Sequence, residues 1–130
     1  SSMYGMLMFA QVPINNVELT NTVKAVEHLL LNGSIGGVAR YEADTYMLVA
    51  EGALPNPWFV CTLWLAQYYV QIHEYEKAKS IVNWTLSHSL SSGILSEQIH
   101  PQAGKAIGVA PLVWSHAELI NTVLDISGTN

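Results

Sequence analysis

Apolar residues recur along most of this chain at helical rather than strand spacing. Leu19, Val23, Val26 and Leu30 follow one another at steps of four, three and four, which gathers them on one face of an α-helix. Asn15, with Glu18 three residues later, predicts the start of that helix, and Asn32-Gly33 predicts its stop. From Ser34 to Pro55 the period is lost and Gly and Tyr accumulate, so the segment reads as a long loop, with one short strand near Val38 to Tyr41. Loops of that length in compact domains are usually functional or disordered. Arg40, Tyr41, Asp44 and Tyr46 make this one poor material for disorder.

Asn56-Pro57 predicts the next helix start, a capping residue followed by proline at the first helical position. Trp58 to Val70 is apolar nearly all round, and such a helix has to be buried on every side. Glu76 to Leu90 is amphipathic instead, with Ala78, Ile81, Val82 and Leu86 inward and Glu76, Lys77 and Lys79 outward. A second loop, Ser91 to Pro111, carries Glu97, and a last helix runs from about Ser115 to Ile126. One wholly apolar helix beside amphipathic ones predicts an all-α fold in two layers, inner and outer.

Composition narrows the classes. Half of the 130 residues are apolar and only 12% are charged, which excludes a disordered tail. The net charge is −5, and Lys24, Arg40, Lys77, Lys79 and Lys105 are scattered, so no basic stripe is present and no nucleic-acid partner is expected. Cys61 is the single cysteine and no His lies at ligand spacing from it, so neither an intrachain disulfide nor a structural metal site is expected. The apolar run Met3 to Val12 is stopped by Pro13 well short of the ~20 residues that span a bilayer, and it lacks a basic leader. No membrane association is expected.

Common catalytic motifs are absent: no phosphate-cradling glycine loop, no H-E-x-x-H and no G-x-S-x-G. His28, His73 and His88 fall on expected helices without ligand-spaced partners and read as surface or packing residues. Asn32-Gly33-Ser34 and Asn83-Trp84-Thr85 match the glycosylation pattern, the second in mid-helix. Two loops hold carboxylates beside aromatics. Arg40-Tyr41-Glu42-Ala43-Asp44-Thr45-Tyr46 precedes Asn56-Pro57-Trp58-Phe59, and Leu95-Ser96-Glu97-Gln98 precedes Leu112-Val113-Trp114-Ser115-His116. Both run into helix N-termini, so they emerge at the same end of the helical stack. Aromatic faces beside hydrogen-bonding groups suit sugars, and an arginine fork can hold two oxygens at once. The same residues also fit a second reading, loops whose polar groups cap helices and whose aromatics fill the core.

The order of these motifs resembles glycoside hydrolase family 15, which includes glucoamylases, glucodextranases and some trehalases. Arg-Tyr-x-x-Asp-Thr-Tyr, Asn-Pro-Trp-Phe-Val-Cys-Thr-Leu, Leu-Ser-Glu-Gln and Leu-Val-Trp-Ser-His-Ala-Glu follow one another over roughly residues 15 to 126. The resemblance implies an (α/α)6 barrel of inner and outer helices, of which residues 1–130 are a C-terminal fragment, about the last third. It implies Glu97 as the catalytic general base and Arg40 as a group holding sugar hydroxyls. It likewise implies Tyr46 and Trp58 as aromatics lining the substrate cleft, Trp114 as one near the base, and Asp44 as the carboxylate that steadies the arginine loop. Gln98 follows the base in the family pattern and is carried over with the substrate-binding residues. Two positions depart from the pattern. Glu42 stands where the family often has proline, and Met47 to Pro55 is longer than the usual linker, a departure expected to bear on the sugar-accepting side of the cleft and on substrate length.

The implied activity is inverting hydrolysis of terminal α-linked glucose from starch or maltooligosaccharides, with no cofactor and no metal. Such a reaction needs an acid to protonate the leaving oxygen and a base to activate water on the opposite face. The family's acid lies in a Trp-Glu-Glu motif on an earlier loop, and no Trp of this chain is followed by Glu. The resemblance therefore implies an acid supplied from upstream and an isolated chain that is inactive. Trehalase activity is a sibling reading, and a non-enzymatic helical interaction module is a reading of a different class. A partial barrel has open edges, so part of Trp58 to Val70 is expected to face water unless the chain self-associates or the upstream barrel segment covers it.

Overall fold

The computed structural model describes Met3, Gly5–Phe9 and residues 12–128. Helix α1 (Val17–Leu29) is started by Asn16, whose extended backbone lets Oδ1 accept from the N–H of Glu18 at 2.7 Å and of Leu19 at 3.0 Å. The cap is thus one residue later than the Asn15 spacing suggests, because both donors of the first turn lie within reach of Asn16. Leu19, Val23 and Val26 are buried and Leu30 half-buried, as their spacing predicts. The helix stops before Asn32-Gly33. Asn32 is buried in a turn instead, with Oδ1 accepting from the N–H of Ser34 and Ile35 and Nδ2 donating to Pro101 O at 3.1 Å.

The two long loops meet in a small sheet that the hydropathy pattern does not announce. Strands β1 (Val38–Ala39), β2 (Pro57–Trp58), β3 (Gln98–Ile99) and β4 (Ala106–Ile107) pair antiparallel in that order. Val38 is opposite Trp58, Trp58 opposite Gln98, and Gln98 opposite Ile107. Two-residue strands are too short to show an alternation, so only β1 carried a signal. Asn56-Pro57 accordingly does not cap a helix. Pro57 belongs to β2, and the Asn56 amide donates to Met47 O and to Gln98 Oε1, both at 2.9 Å. Helix α2 (Phe59–Gln71) begins two residues later, where the Phe59 N–H donates to Glu97 O at 3.4 Å. Thr62 locks the junction: its hydroxyl donates to Trp58 O at 2.7 Å and accepts from Val38 N at 2.8 Å.

Every residue of α2 from Phe59 to Val70 is buried. The expectation that part of this helix faces water is corrected here. Helices α3 (Tyr75–Ser87) and α4 (Val113–Ser127) pack against it, and α1 joins the same core through Leu19, Val23 and Val26. On α3, Ala78 and Thr85 are buried and Ile81 and Val82 half-buried, while Glu76, Lys77 and Lys79 are exposed. Leu86, expected inward, is 53% exposed, because Thr85 takes the inward position one residue earlier. Trp84 closes the other side: its Nε1 donates to Ile35 O at 2.8 Å. A Cβ on Gly37, at φ +79°, would lie 2.4 Å from the Trp84 ring, so only glycine lets the chain pass there. Among the described residues no helix is long and apolar enough to cross a membrane.

Candidate active site

Arg40 follows β1 directly, and its guanidinium is gripped on one edge. Nε donates to Asp44 Oδ2 and Nη2 to Asp44 Oδ1, both at 2.9 Å, a two-point fork that also sets the plane of the group. Nη2 reaches the Tyr41 hydroxyl at 3.3 Å. The guanidinium carbon lies 4.5 Å from the Trp58 ring centroid and 5.2 Å from that of Tyr46. Asp44 is buried and also accepts from the Tyr46 N–H at 3.0 Å. Burial works against its charge, but the hydrogen bonds from Arg40 and Tyr46 and the positive charge of Arg40 outweigh it and hold the carboxyl below the usual aspartate range. The Arg40 pKa moves up in turn, chiefly through the hydrogen bond to Asp44.

Trp58 is buried on β2, next to the Arg40 strand, and lines a cavity of about 170 Å³ with Arg40, Val60, Cys61, Trp64 and Trp114. The Cys61 thiol faces this apolar wall, and burial pushes its pKa up to about 11, so it stays a neutral packing group. Tyr46 stands over Trp58 with ring centroids 6.0 Å apart and is 47% exposed, at the open rim.

Glu97 is half-buried immediately before β3, on the other side of β2 from Arg40. Its backbone is tied on both edges, N–H to Val109 O at 2.9 Å and carbonyl to the Phe59 N–H. Gln98 is fully buried, and its Nε2 donates to Glu97 Oε2 at 3.3 Å while its Oε1 accepts from Asn56. Among the described residues no hydrogen bond reaches Oε1 of Glu97. Gln98, carried over with the substrate-binding residues, is therefore placed behind the carboxylate, where it can orient Glu97 but has no exposed surface for a substrate. Gly108 completes the setting: at φ +79°, a Cβ there would fall 2.5 Å from Glu97 Oε2.

Trp114 opens α4 and is 51% exposed, with its ring 5.6 Å from that of Trp64. Its Nε1 donates to Glu118 Oε1 at 2.9 Å, and the buried Glu118 also accepts from Gln67 Nε2 at 2.8 Å. Trp114 thus shares a wall with Arg40 and Trp58. Ser115 and His116, from the same turn, reach the backbone of the Glu97 loop.

The sheet therefore gathers Arg40, Asp44, Tyr46, Trp58, Glu97 and Gln98 at one end of the helical stack. Sequence reasoning passed over Asn56 as a linking residue, Gly108 behind Glu97, and Glu118 beneath Trp114. Asn56 was legible only as a cap, and a lone glycine names no neighbour. Glu118 closes the quoted Trp-Ser-His-Ala-Glu motif, but its partner Gln67 is 51 residues away. Among the described residues no three His, Cys, Asp or Glu side chains come together as a metal site.

The sequence profile described as glycosyl hydrolases family 15 matches residues 72–124. An uncharacterized glycosyl hydrolase of Methanocaldococcus jannaschii is 30% identical over 122 residues, which cover 84% of this chain and 18% of that protein. A trehalase of Mycobacterium tuberculosis is 28% identical over 116 residues, covering 88% of this chain and 16% of that protein. The chain thus spans less than a fifth of the length of these curated relatives. In structure it is similar to a bacterial glucoamylase complexed with acarbose, with a TM-score of 0.82 at 21% identity, over 95% of this chain and 20% of that one. At that identity the likeness establishes the fold: a mostly helical part of the glucoamylase-type (α/α)6 barrel, with a small sheet at one end.

Proposed function

We propose, starting from a chain that belongs to glycosyl hydrolase family 15, that it is the base-bearing segment of a glucoamylase-type enzyme acting on terminal α-linked glucose. The observation that carries this reading is the sheet β1–β2–β3, which sets Glu97 two strands from the Arg40–Asp44 fork, with Trp58 between them. Asp44 occupies one edge of the guanidinium, leaving the Nη1 donors for a pair of sugar hydroxyls. Tyr46, Trp58 and Trp114 offer aromatic faces to the C–H side of the ring. Tyr46 and Trp114 are the exposed ones, and Trp58 mainly supports Arg40 from below.

Glu97 acts as the ionised general base. Its carboxylate takes a proton from water as the water oxygen bonds to the anomeric carbon and the glycosidic C–O bond breaks on the opposite face. The departing oxygen is protonated by a carboxylic acid from a part of the parent outside these 130 residues. Residues 1–130 are then one piece of a single catalytic domain, without turnover of their own. The test is Glu97→Gln in the parent enzyme. It should lower kcat on maltooligosaccharides by at least about a hundredfold, the lower range for loss of a general base, with a much smaller change in KM. NMR of fresh product should show β-glucose first. Parental turnover in Glu97→Gln, or α-glucose as the first product, overturns the assignment.

Trehalases among the curated relatives favour a second reading, in which the same base and fork act on trehalose. The ratio of kcat/KM for maltotriose to that for trehalose separates the two.

A further inference from the structure

The segment that carries Glu97 is not held by regular strand pairing alone. Leu95 and Ser96 precede β3, and their backbone groups turn towards α4. His116 Nε2 accepts from the Leu95 N–H at 3.0 Å. Accepting there requires the neutral ring with its proton on Nδ1. Ser115, fully buried, donates from Oγ to Ser96 O at 2.9 Å, and the Leu112 N–H donates to Leu95 O at 3.0 Å. The Ser96 hydroxyl in turn closes on Gln98 O at 2.7 Å. The first turn of α4 therefore grips the two residues before Glu97 by one donor and one acceptor side chain.

We propose that Ser115 and His116 are positioning residues for Glu97, a paired clamp that couples the base loop to the helix turn bearing Trp114. The inference rests on reading Glu97 as the general base. A base acting on water needs placement to a fraction of an ångström, and a displacement of about 1 Å can cost about a hundredfold in rate. The Leu95–Glu97 stretch is irregular backbone between the Gly93 turn and β3, and its own backbone–backbone bonds leave Leu95 N–H and Ser96 C=O without partners. Unpaired, these buried groups would relax towards other partners and swing the carboxylate. His116 supplies the acceptor and Ser115 the donor, so the motif Trp-Ser-His places one cleft aromatic and two loop anchors within a single turn. Both anchors act through the backbone and neither needs to touch substrate.

The experiment uses the parent enzyme, with Glu97→Gln as reference. His116→Ala should lower kcat at least about tenfold with KM within about threefold of the parent. His116→Gln, whose side-chain oxygen can accept near the Nε2 position without a titrating ring, should restore most of that loss. Ser115→Ala should lower kcat in the same sense, and the double variant should lose no more than the product of the two effects. Selective ¹⁵N labelling of histidine reads the clamp without any assay, and should show His116 protonated on Nδ1 near neutral pH. Full kcat in both His116→Ala and Ser115→Ala, while Glu97→Gln is inactive, overturns the clamp and leaves the base assignment standing. So does a proton on Nε2, or a Gln variant as impaired as the Ala one. Full turnover in Glu97→Gln removes the base and the clamp together.

Discussion

Arg40 and Asp44 hold one another by two hydrogen bonds of equal length, and that pairing determines what a substitution at either position does. Arg40→Lys keeps the charge but offers one compact ammonium in place of a planar fork, so it cannot grip Asp44 and a sugar at once. We expect kcat/KM of the parent to fall at least about tenfold. Fold stability should drop by only about 1 kcal/mol, because the Arg40 side chain is 33% exposed and water screens the pair. The sign of the pH effect follows from Asp44, whose folded-state pKa lies below its ordinary value. Its contribution is complete above about pH 4, the unfolded pKa, and is lost as pH falls through the lower folded value. Melting temperatures recorded from pH 6 to pH 2 should therefore fall less steeply in Asp44→Asn than in the parent. An identical slope would mean that folding leaves the Asp44 pKa where it is in the unfolded chain.

Among the elements, the junction of β2 with α2 shows how local signals and long-range partners compete. Asn56-Pro57 has the residues of a helix start, yet Trp58 pairs across the sheet with both Val38 and Gln98, and the helix waits until Phe59. Pro57 fits there because its fixed φ suits an extended strand and it is the strand's first residue, a position where proline is tolerated. Asn56 is then a donor, not a cap. A cap works equally well as Asp, since only the side-chain oxygen is used. The observed Asn56 needs its Nδ2 for Met47 O and Gln98 Oε1, and an aspartate oxygen would face both acceptors. Asn56→Asp should therefore destabilise the parent by about 1–3 kcal/mol in urea unfolding. It should also disturb Gln98 behind Glu97 and lower kcat. A silent Asn56→Asp would restore the capping role.

For the molecule as a whole, the apolar surplus lies on the flanks rather than the centre. Helix α2 is covered, whereas Val17 and Leu29 on α1 are 68% and 54% exposed, and Val113, Ile120 and Val123 on α4 are 79%, 58% and 46% exposed. Under the proposed fragment reading, these are faces for further barrel helices. Every 100 Å² of such surface left in water costs about 2.5 kcal/mol, and large exposed apolar patches on soluble chains mark association sites. The isolated 130-residue chain should therefore self-associate at micromolar concentration in light scattering, and release no glucose from maltose. A dilute monomer with a cooperative melt would show that the two flanks are stable in water. Glucose release above background would require a second carboxylate within the chain, with Glu42, Glu51 and Glu118 as the candidates beyond the Arg40-bound Asp44.

Periodicity and local chemistry by themselves determined the four helices, the inward face of α1, the all-buried character of Phe59 to Val70, and the two loops that carry the site residues. Those features repeat every few residues, so a short window contains them. The ordered motifs carried the resemblance to the family as well, and the family profile matches the stretch that holds Glu97 and Trp114. What only the tertiary structure decided are contacts between distant positions: the sheet of two-residue strands, Asn56 turned from cap to link, Gln98 against the Glu97 carboxylate, Gly108 beside it, and Glu118 held by Gln67. A hydrogen bond between residues some 40 to 50 positions apart leaves no period in either partner's neighbourhood. It exists only once the helices have packed and the loops have been brought to the same end.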